Sequence, residues 1–273
     1  MARRRLHRAS PGAGGAMAIF AADGTPRLPP GSAEAWAHAL GAVYHVAHRL
    51  PLDALLGPDS AAARERGGDM RAMLREWWGI EDRDELVRVL DRLGFEGHRR
   101  RHGARLRRYA AMFRPEVASL REELRAATRE GGEGADEARK ELWRLDAVQA
   151  DLRGLRSAPL LAFDAARAAM LARTGRLLGW LAEGEVLAYL LDVARDAGRT
   201  YRSWAEYAAD YTLGREVWSG GEPDPEFDEA VEALLHDERS PWVTLPWARD
   251  DLAVPRPVRP LPADAPVWTL ERG

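Results

Sequence analysis

The sequence predicts an all-α fold: a single irregular multi-helix domain with a disordered N-terminal tail and a Pro-rich C-terminal tail. Three observations carry that expectation. Apolar residues return every three to four positions in most segments between residues 32 and 250. Capping residues, glycines and prolines punctuate those segments at helical lengths. Neither strand-like alternation nor a fixed-period repeat occurs. About eight to ten helices fit such a chain.

Taken in order, residues 1–31 are rich in Pro, Gly and Arg without an apolar period, and read as a disordered tail. Ser32 reads as the N-cap of a helix carrying Trp36, Leu40, Val43 and Ala47, ended before Pro51. A loop with Gly57, Pro58, Gly67 and Gly68 precedes a short helix through Met70, Met73, Leu74 and Trp77, stopped at Gly79. Asp82 with Glu85 caps a helix bearing Leu86, Val89, Leu90 and Leu93, which Gly94 and Gly97 break. A helix from His98 to Phe113 follows, and Pro115 starts another that ends near Gly131. Gly131 to Gly134 reads as a loop between antiparallel helices, with a hinge as the alternative.

A polar helix, Asp136 to Leu155, precedes an apolar one opened by Pro159 and running from Leu160 to Leu171, its end loosened by Gly175 and Gly179. Glu183 to Val193 forms the next, closed by Gly198; its acids complement the helix start. Ser203 and Glu206 form a capping box for an aromatic helix, 204–218, ended by Gly220 and Gly221. Asp224 to Leu235 is a last amphipathic helix. The prolines of Ser240-Pro241-Trp242 and Leu245-Pro246-Trp247 predict extended chain, and residues 251–273 a Pro-rich extended tail.

Composition narrows the function classes. The chain has 273 residues, 46% of them hydrophobic, enough for a sizeable core. A net charge of -3 removes any global pull toward nucleic acid. With no cysteine there is no disulfide framework, thiolate-ligated metal or thiol nucleophile. No apolar run reaches the roughly 20 residues of a membrane span. Arg3, Arg4, Arg5 and Arg8 followed by Ala16 to Ala22 loosely imitate a secretory signal, but the apolar part is short. The alternative is a true start at Met17. A cytoplasmic location, with no membrane partner, is the expectation. Lys140 is the only lysine, which reads as coding bias rather than guanidinium chemistry.

Several short motifs occur in order: Trp77-Trp78-Gly79-Ile80, Gly97-His98-Arg99, Phe163-Asp164 with Arg167, Ser203-Trp204, Gly214-Arg215 with Trp218, Ser240-Pro241-Trp242 and Leu245-Pro246-Trp247. Together they resemble the bacterial domain-of-unknown-function family 1266 (DUF1266), from about Trp36 to Trp247, which places the domain at 32–250. Phe163-Asp164 stands where that family's usual pair is Trp-Asp. The resemblance implies a cytosolic bacterial protein and supplies no activity, substrate or cofactor.

The candidate site comes from charges set among apolar residues. Asp164 and Arg167 are the only charged residues from Leu160 to Ala172; at i and i+3 they share a face. Trp204, Tyr207, Tyr211, Arg215 and Trp218 fall on one side of their helix, beside Gly214. If Arg167 and Arg215 converge on one carboxylate, the surplus positive charge suits a phosphate or carboxylate. The ligand-binding candidates are therefore Asp164, Arg167, Trp204, Tyr211, Arg215 and Trp218. The bland reading is a structural ion pair and a core aromatic stripe.

Other clusters weigh toward structure. His98 and His102, one turn apart, face the apolar side of a helix crowded with arginine, which opposes a metal; His38, His45 and His48 line one side of theirs with no acid between them. Arginines 99, 100, 101, 105, 107 and 108 read as a solvated basic face without nucleic-acid reader aromatics. Phosphate-loop, nucleophile-elbow and dinucleotide fingerprints are absent, so no cofactor is indicated. The leading expectation is a non-enzymatic module that binds a protein or small anion. The rival is an enzyme using Asp164 as base on a phosphate- or carboxylate-bearing substrate. A third is nucleic-acid association through Arg99 to Arg108.

Overall fold

The computed structural model describes residues 27–132 and 134–253. Residues 1–26 and 254–273, where most of both expected tails and both candidate start sites fall, lie outside the described residues. The parts of the tails that are described are tied down. Leu28 donates its backbone N–H to Asp53 O at 2.9 Å, and Arg249 Nη1 donates to Gly31 O at 2.6 Å. Asp251–Ala253 forms a 3₁₀ turn with Leu252 buried.

The structure is all-helical, with no strand among the described residues. Its centre is α8 (Leu161–Leu177), all but two of whose residues are buried. A helix apolar on every side belongs inside a bundle. Around it pack α2 (Ala42–Ala47), α3 (Ala61–Met73), α4 (Arg83–Phe95), α5 (Gly97–Ala111), α9 (Glu183–Thr200) and α10 (Trp204–Ser219). Helix α1 (Ala33–Ala39) lies on α9. Helices α6 (Arg114–Glu130) and α7 (Ala135–Gln149) form a hairpin closed against α5 by a second core of Leu106, Tyr109, Val117, Leu145 and Val148. Helix α11 (Pro225–His236) packs on α2, and the short α12 (Pro241–Thr244) on α11.

Several boundaries differ from the sequence expectation for identifiable reasons. The first expected helix breaks into α1 and α2 at Gly41, where a Cβ would stand 2.9 Å from Ala169 Cβ. Gly67 and Gly68, expected in a loop, lie inside α3, which Ser60 caps through its side chain. That helix ends in a π turn, Leu74–Trp78, closed by Gly79 at φ 64°. Gly175 does not loosen α8; it lets Leu86 and Leu181 press against the helix, and α8 continues to Leu177. Gly198 likewise lies within α9. Pro241 opens α12 instead of extended chain, because Ser240 accepts the N–H of Trp242 at 3.0 Å and proline suits a first turn.

Four tryptophans make a separate aromatic block. Trp36, Trp204, Trp242 and Trp247 pack with ring centroids 4.8–5.6 Å apart. Each indole N–H donates to a carbonyl: Trp36 to Pro246, Trp204 to Leu245, Trp242 to Ala39 and Trp247 to Tyr201. The block fastens the chain after α12 to α1 and α10, giving every buried indole an apolar body and a satisfied donor. No helix among the described residues is long and apolar enough to cross a membrane.

Candidate functional site

Asp164 stands in the first turn of α8, 2% exposed, facing the start of α5. Helix α5 has no side-chain cap of its own, so its first N–H groups need acceptors. Asp164 supplies them: it accepts the N–H of His98 at 2.9 Å and of Arg99 at 3.0 Å. Gly97 makes this possible, since at φ 56° it turns the chain and a Cβ there would collide with the carboxylate.

Two guanidinium groups then share that carboxylate. Arg167 pairs with Oδ1 through Nη2, and its Nε donates to Phe163 O at 3.2 Å. Arg99 Nη1 donates to Oδ2 at 3.2 Å and to Leu93 O at 2.9 Å, while its Nη2 reaches Gly94 O at 2.7 Å. Arg99 thus also caps the end of α4. The Arg167 guanidinium lies 4.0 Å from the Phe163 ring centroid and 5.6 Å from that of Trp78. One negative charge therefore serves two cations and the positive end of a helix.

Phe163 joins α8 to α10. Gly214 allows the contact, since a Cβ there would stand 2.8 Å from Phe163 Cβ. The Phe163 ring meets Tyr211 at 5.8 Å, Trp218 at 6.1 Å and His98 at 6.5 Å. Trp218 is 45% exposed and forms the solvent edge of the group. Tyr211 is buried, with Tyr44 beside it, their rings edge to face at 6.3 Å. Burial raises its pKa well above the ordinary value, as it raises that of neighbouring Tyr44. Burial, then Arg167, push His98 down to about 4 against the pull of Asp164.

The structure brings Asp164, Arg167, Tyr211 and Trp218 together. It separates the others. Arg215 has its own acid, Asp224, and lies 4.5 Å from the Phe227 ring centroid, so it does not share Asp164. Arg167 and Arg215 both act on the buried Tyr44 hydroxyl. Trp204 belongs to the tryptophan block, fourteen residues or about 21 Å of helix from Trp218. The second cation on Asp164 is Arg99, a member of the run read as a solvated face; Arg105 of that run pairs with Glu141. Arg99, His98 and Trp78 were findable from the short motifs Gly97-His98-Arg99 and Trp77-Trp78-Gly79.

Histidines 98 and 102 stack at 5.6 Å, and burial followed by Arg144 pushes His102 down to about 3. Among the described residues no His/Cys/Asp/Glu group of three or more is placed to hold a metal. A recess of about 20 Å³ reaches Arg99 and Asp164, with Asp196 also on its wall. A cleft of about 560 Å³ lies elsewhere, between α10, α11 and the α7–α8 connection. Its floor holds Asp210, which accepts the Tyr201 hydroxyl at 2.5 Å and the N–H groups of Leu160 and Ala162 at 2.9 and 3.0 Å. Asp210 thereby caps α8, and burial raises its pKa. Asp210 carries no sequence signal, because it stands beside alanines on α10 outside any motif.

Among known proteins, the chain is 32% identical over 147 residues to the uncharacterized protein YbeR of Escherichia coli (strain K12), covering 54% of this chain and 57% of that protein. It is 26% identical over 185 residues to the uncharacterized protein YbeU of the same strain, covering 62% and 73% respectively. The chain thus spans little more than half the length of the first of these relatives. No solved structure matches it. The family described as "Protein of unknown function (DUF1266)" matches residues 73–247. That span takes in the Asp164 site and most of the core, and the chain belongs to the DUF1266 family.

Proposed function

We propose that this protein is a non-enzymatic binding module for a small anionic ligand, one bearing a phosphate or carboxylate, taken at the edge of the Asp164–Arg99–Arg167 cluster. The carrying observation is the sharing of one carboxylate by two guanidinium groups at a helix N-terminus. A second negative group beside them would be stabilised, not repelled. Half-exposed Trp218 and partly exposed His98 offer a rim on which such a ligand can pack. A bacterial, cytoplasmic home accords with the Escherichia coli relatives and with the lack of a membrane-length helix among the described residues. Membrane and nucleic-acid partners find no support in the site.

The catalytic alternative gives Asp164 the role of base. Four donors already reach that carboxylate, which leaves no lone pair to take a substrate proton. Binding is the reading that the geometry favours.

The test uses the full chain, inorganic phosphate and acetate. Titration should raise Tm saturably and change tryptophan emission. Arg99→Gln should abolish both responses while the protein stays folded. No response to either anion, or one that Arg99→Gln leaves intact, removes the proposal. Turnover of p-nitrophenyl phosphate that Asp164→Asn abolishes would make the site catalytic instead.

A further inference from the structure

A second charged cluster lies at the other end of α8, and it is less completed than the first. Arg173 is buried, 5% exposed. Its Nη2 donates to Pro51 O at 3.1 Å and Ala54 O at 2.9 Å, yet Nε and Nη1 are buried with no partner among the described residues. Those are three N–H donors on a permanently charged group. Asp53 also acts on it electrostatically while pairing with Arg27 at 3.3 Å. An uncompensated buried charge is among the costliest features a fold can hold.

The orphaned atoms concentrate here. Among the described residues, buried side-chain nitrogens without partners include Nδ1 of His38, both ring nitrogens of His45, Nδ1 of His48, Nε and Nη1 of Arg173 and Nε of Arg176; away from this region His102 Nδ1 joins them. His38 and His45 lie 5.0 Å apart ring to ring, and both feel Arg173. His38 Nε2 faces Ala54 O at 3.1 Å and so carries the proton. Burial, then Arg173, hold both histidines well below their ordinary pKa, so neither adds charge. A neutral His45 still carries one N–H donor. Arg173 crowds out a cation.

We propose that Arg173 and His45 hold a single small monovalent anion of the chloride class, buried between α1, α2 and α8. The ion would accept from Arg173 Nε and Nη1 and from one ring N–H of His45, matching the guanidinium charge. The His45 ring is closely packed on its Gly41 side, where a Cβ would stand 3.3 Å from His45 Cε1 and 2.9 Å from Ala169 Cβ, which favours a single-atom ion over a larger one. This site is independent of the Asp164 cluster and does not rest on its reading.

The experiment compares the full chain in sodium chloride, bromide and gluconate at equal ionic strength. Chloride and bromide should raise Tm saturably by about 2–4 °C over gluconate. Arg173→Met should lose that dependence, and Arg99→Gln should keep it. Because Arg173→Met can fail to fold, the second measurement is anomalous diffraction from bromide-grown crystals, with a peak expected beside Arg173. Equal Tm in all three salts overturns the proposal. So does a site filled by water only, or a halide peak confined to the Asp164 cluster.

Discussion

Asp164 and Arg99 are joined twice: the carboxylate accepts the backbone N–H of Arg99 at 3.0 Å, and the guanidinium of the same residue returns to it at 3.2 Å. One acid thus caps α5, neutralises part of two cations and fixes α5 against α8. Asp164→Asn keeps the shape but removes the charge, leaving Arg167 buried without the one acid it pairs with among the described residues. We expect a loss of about 3–5 kcal/mol in urea unfolding. A loss under about 1 kcal/mol would mean that the pairing is incidental.

Gly97 is needed for that geometry and Gly94, three residues earlier, is not. Gly97→Ala puts a methyl onto the Asp164 carboxylate at a positive φ, for an expected cost of about 2 kcal/mol or more. Gly94→Ala meets nothing within 4 Å and lies inside α4. It should be neutral or stabilising by about 0.5–1 kcal/mol. Chemical denaturation of the two variants side by side checks the contrast; similar ΔΔG values would refute it.

The sequence made the helices legible where apolar period and capping agreed, as at Ser32, Asp82, Pro115 and Ser203. It misled at glycines: Gly41 breaks a helix expected to run on, whereas Gly67, Gly175 and Gly198 lie inside helices where a loop, a loosened end or a stop was expected, and on paper the four look alike. In the site, Asp164 and Arg167 were readable because they share one helix face. Arg99 stood in a short motif, but its pairing with Asp164 was not readable, since that partner lies 65 positions away and its own run of arginines suggested solvent. Asp224 hid for the converse reason: it precedes a proline-started helix, where an acid already has a local role.

Trp204 separates structure from function. It lies in the tryptophan block, not beside Arg167, and its indole N–H donates to Leu245 O at 2.8 Å. Trp204→Phe orphans that carbonyl and thins the ring packing, for an expected cost of about 1–3 kcal/mol. The midpoint of the phosphate titration should not move. A weakened phosphate response in a folded Trp204→Phe protein would place this residue in the site after all.

Buried neutral histidines set the acid limit of the fold. Burial depresses His38, His45, His48, His98 and His102, the third and fourth to about 4 and the last to about 3. In the unfolded chain each titrates near 6.5. Between that value and about 4 the unfolded state therefore binds more protons, so stability is full above about 6.5 and falls as pH drops. Each depressed histidine adds up to about 1.4 kcal/mol per pH unit. Asp210, raised by burial, works in the opposite direction. Urea midpoints at pH 7, 6 and 5 should decline steadily, and His102→Gln should make the decline shallower. A flat series would show that these rings are not buried neutral.

Trp218 distinguishes a binding rim from a packing residue. Its ring stands 6.1 Å from Phe163, yet nearly half its surface is open, and its backbone carbonyl, not its side chain, accepts Arg144 Nη2 at 3.0 Å. Trp218→Ala therefore leaves the Arg144 cap on the end of α10 in place and gives up only a partly buried face. The stability cost should stay within about 1 kcal/mol. If an anionic ligand packs against this ring, the same change should weaken phosphate binding at least about threefold and remove most of the emission change. A variant that unfolds early but binds as well as the parent would reverse the assignment, making Trp218 part of the core and moving the ligand to the Arg99 recess.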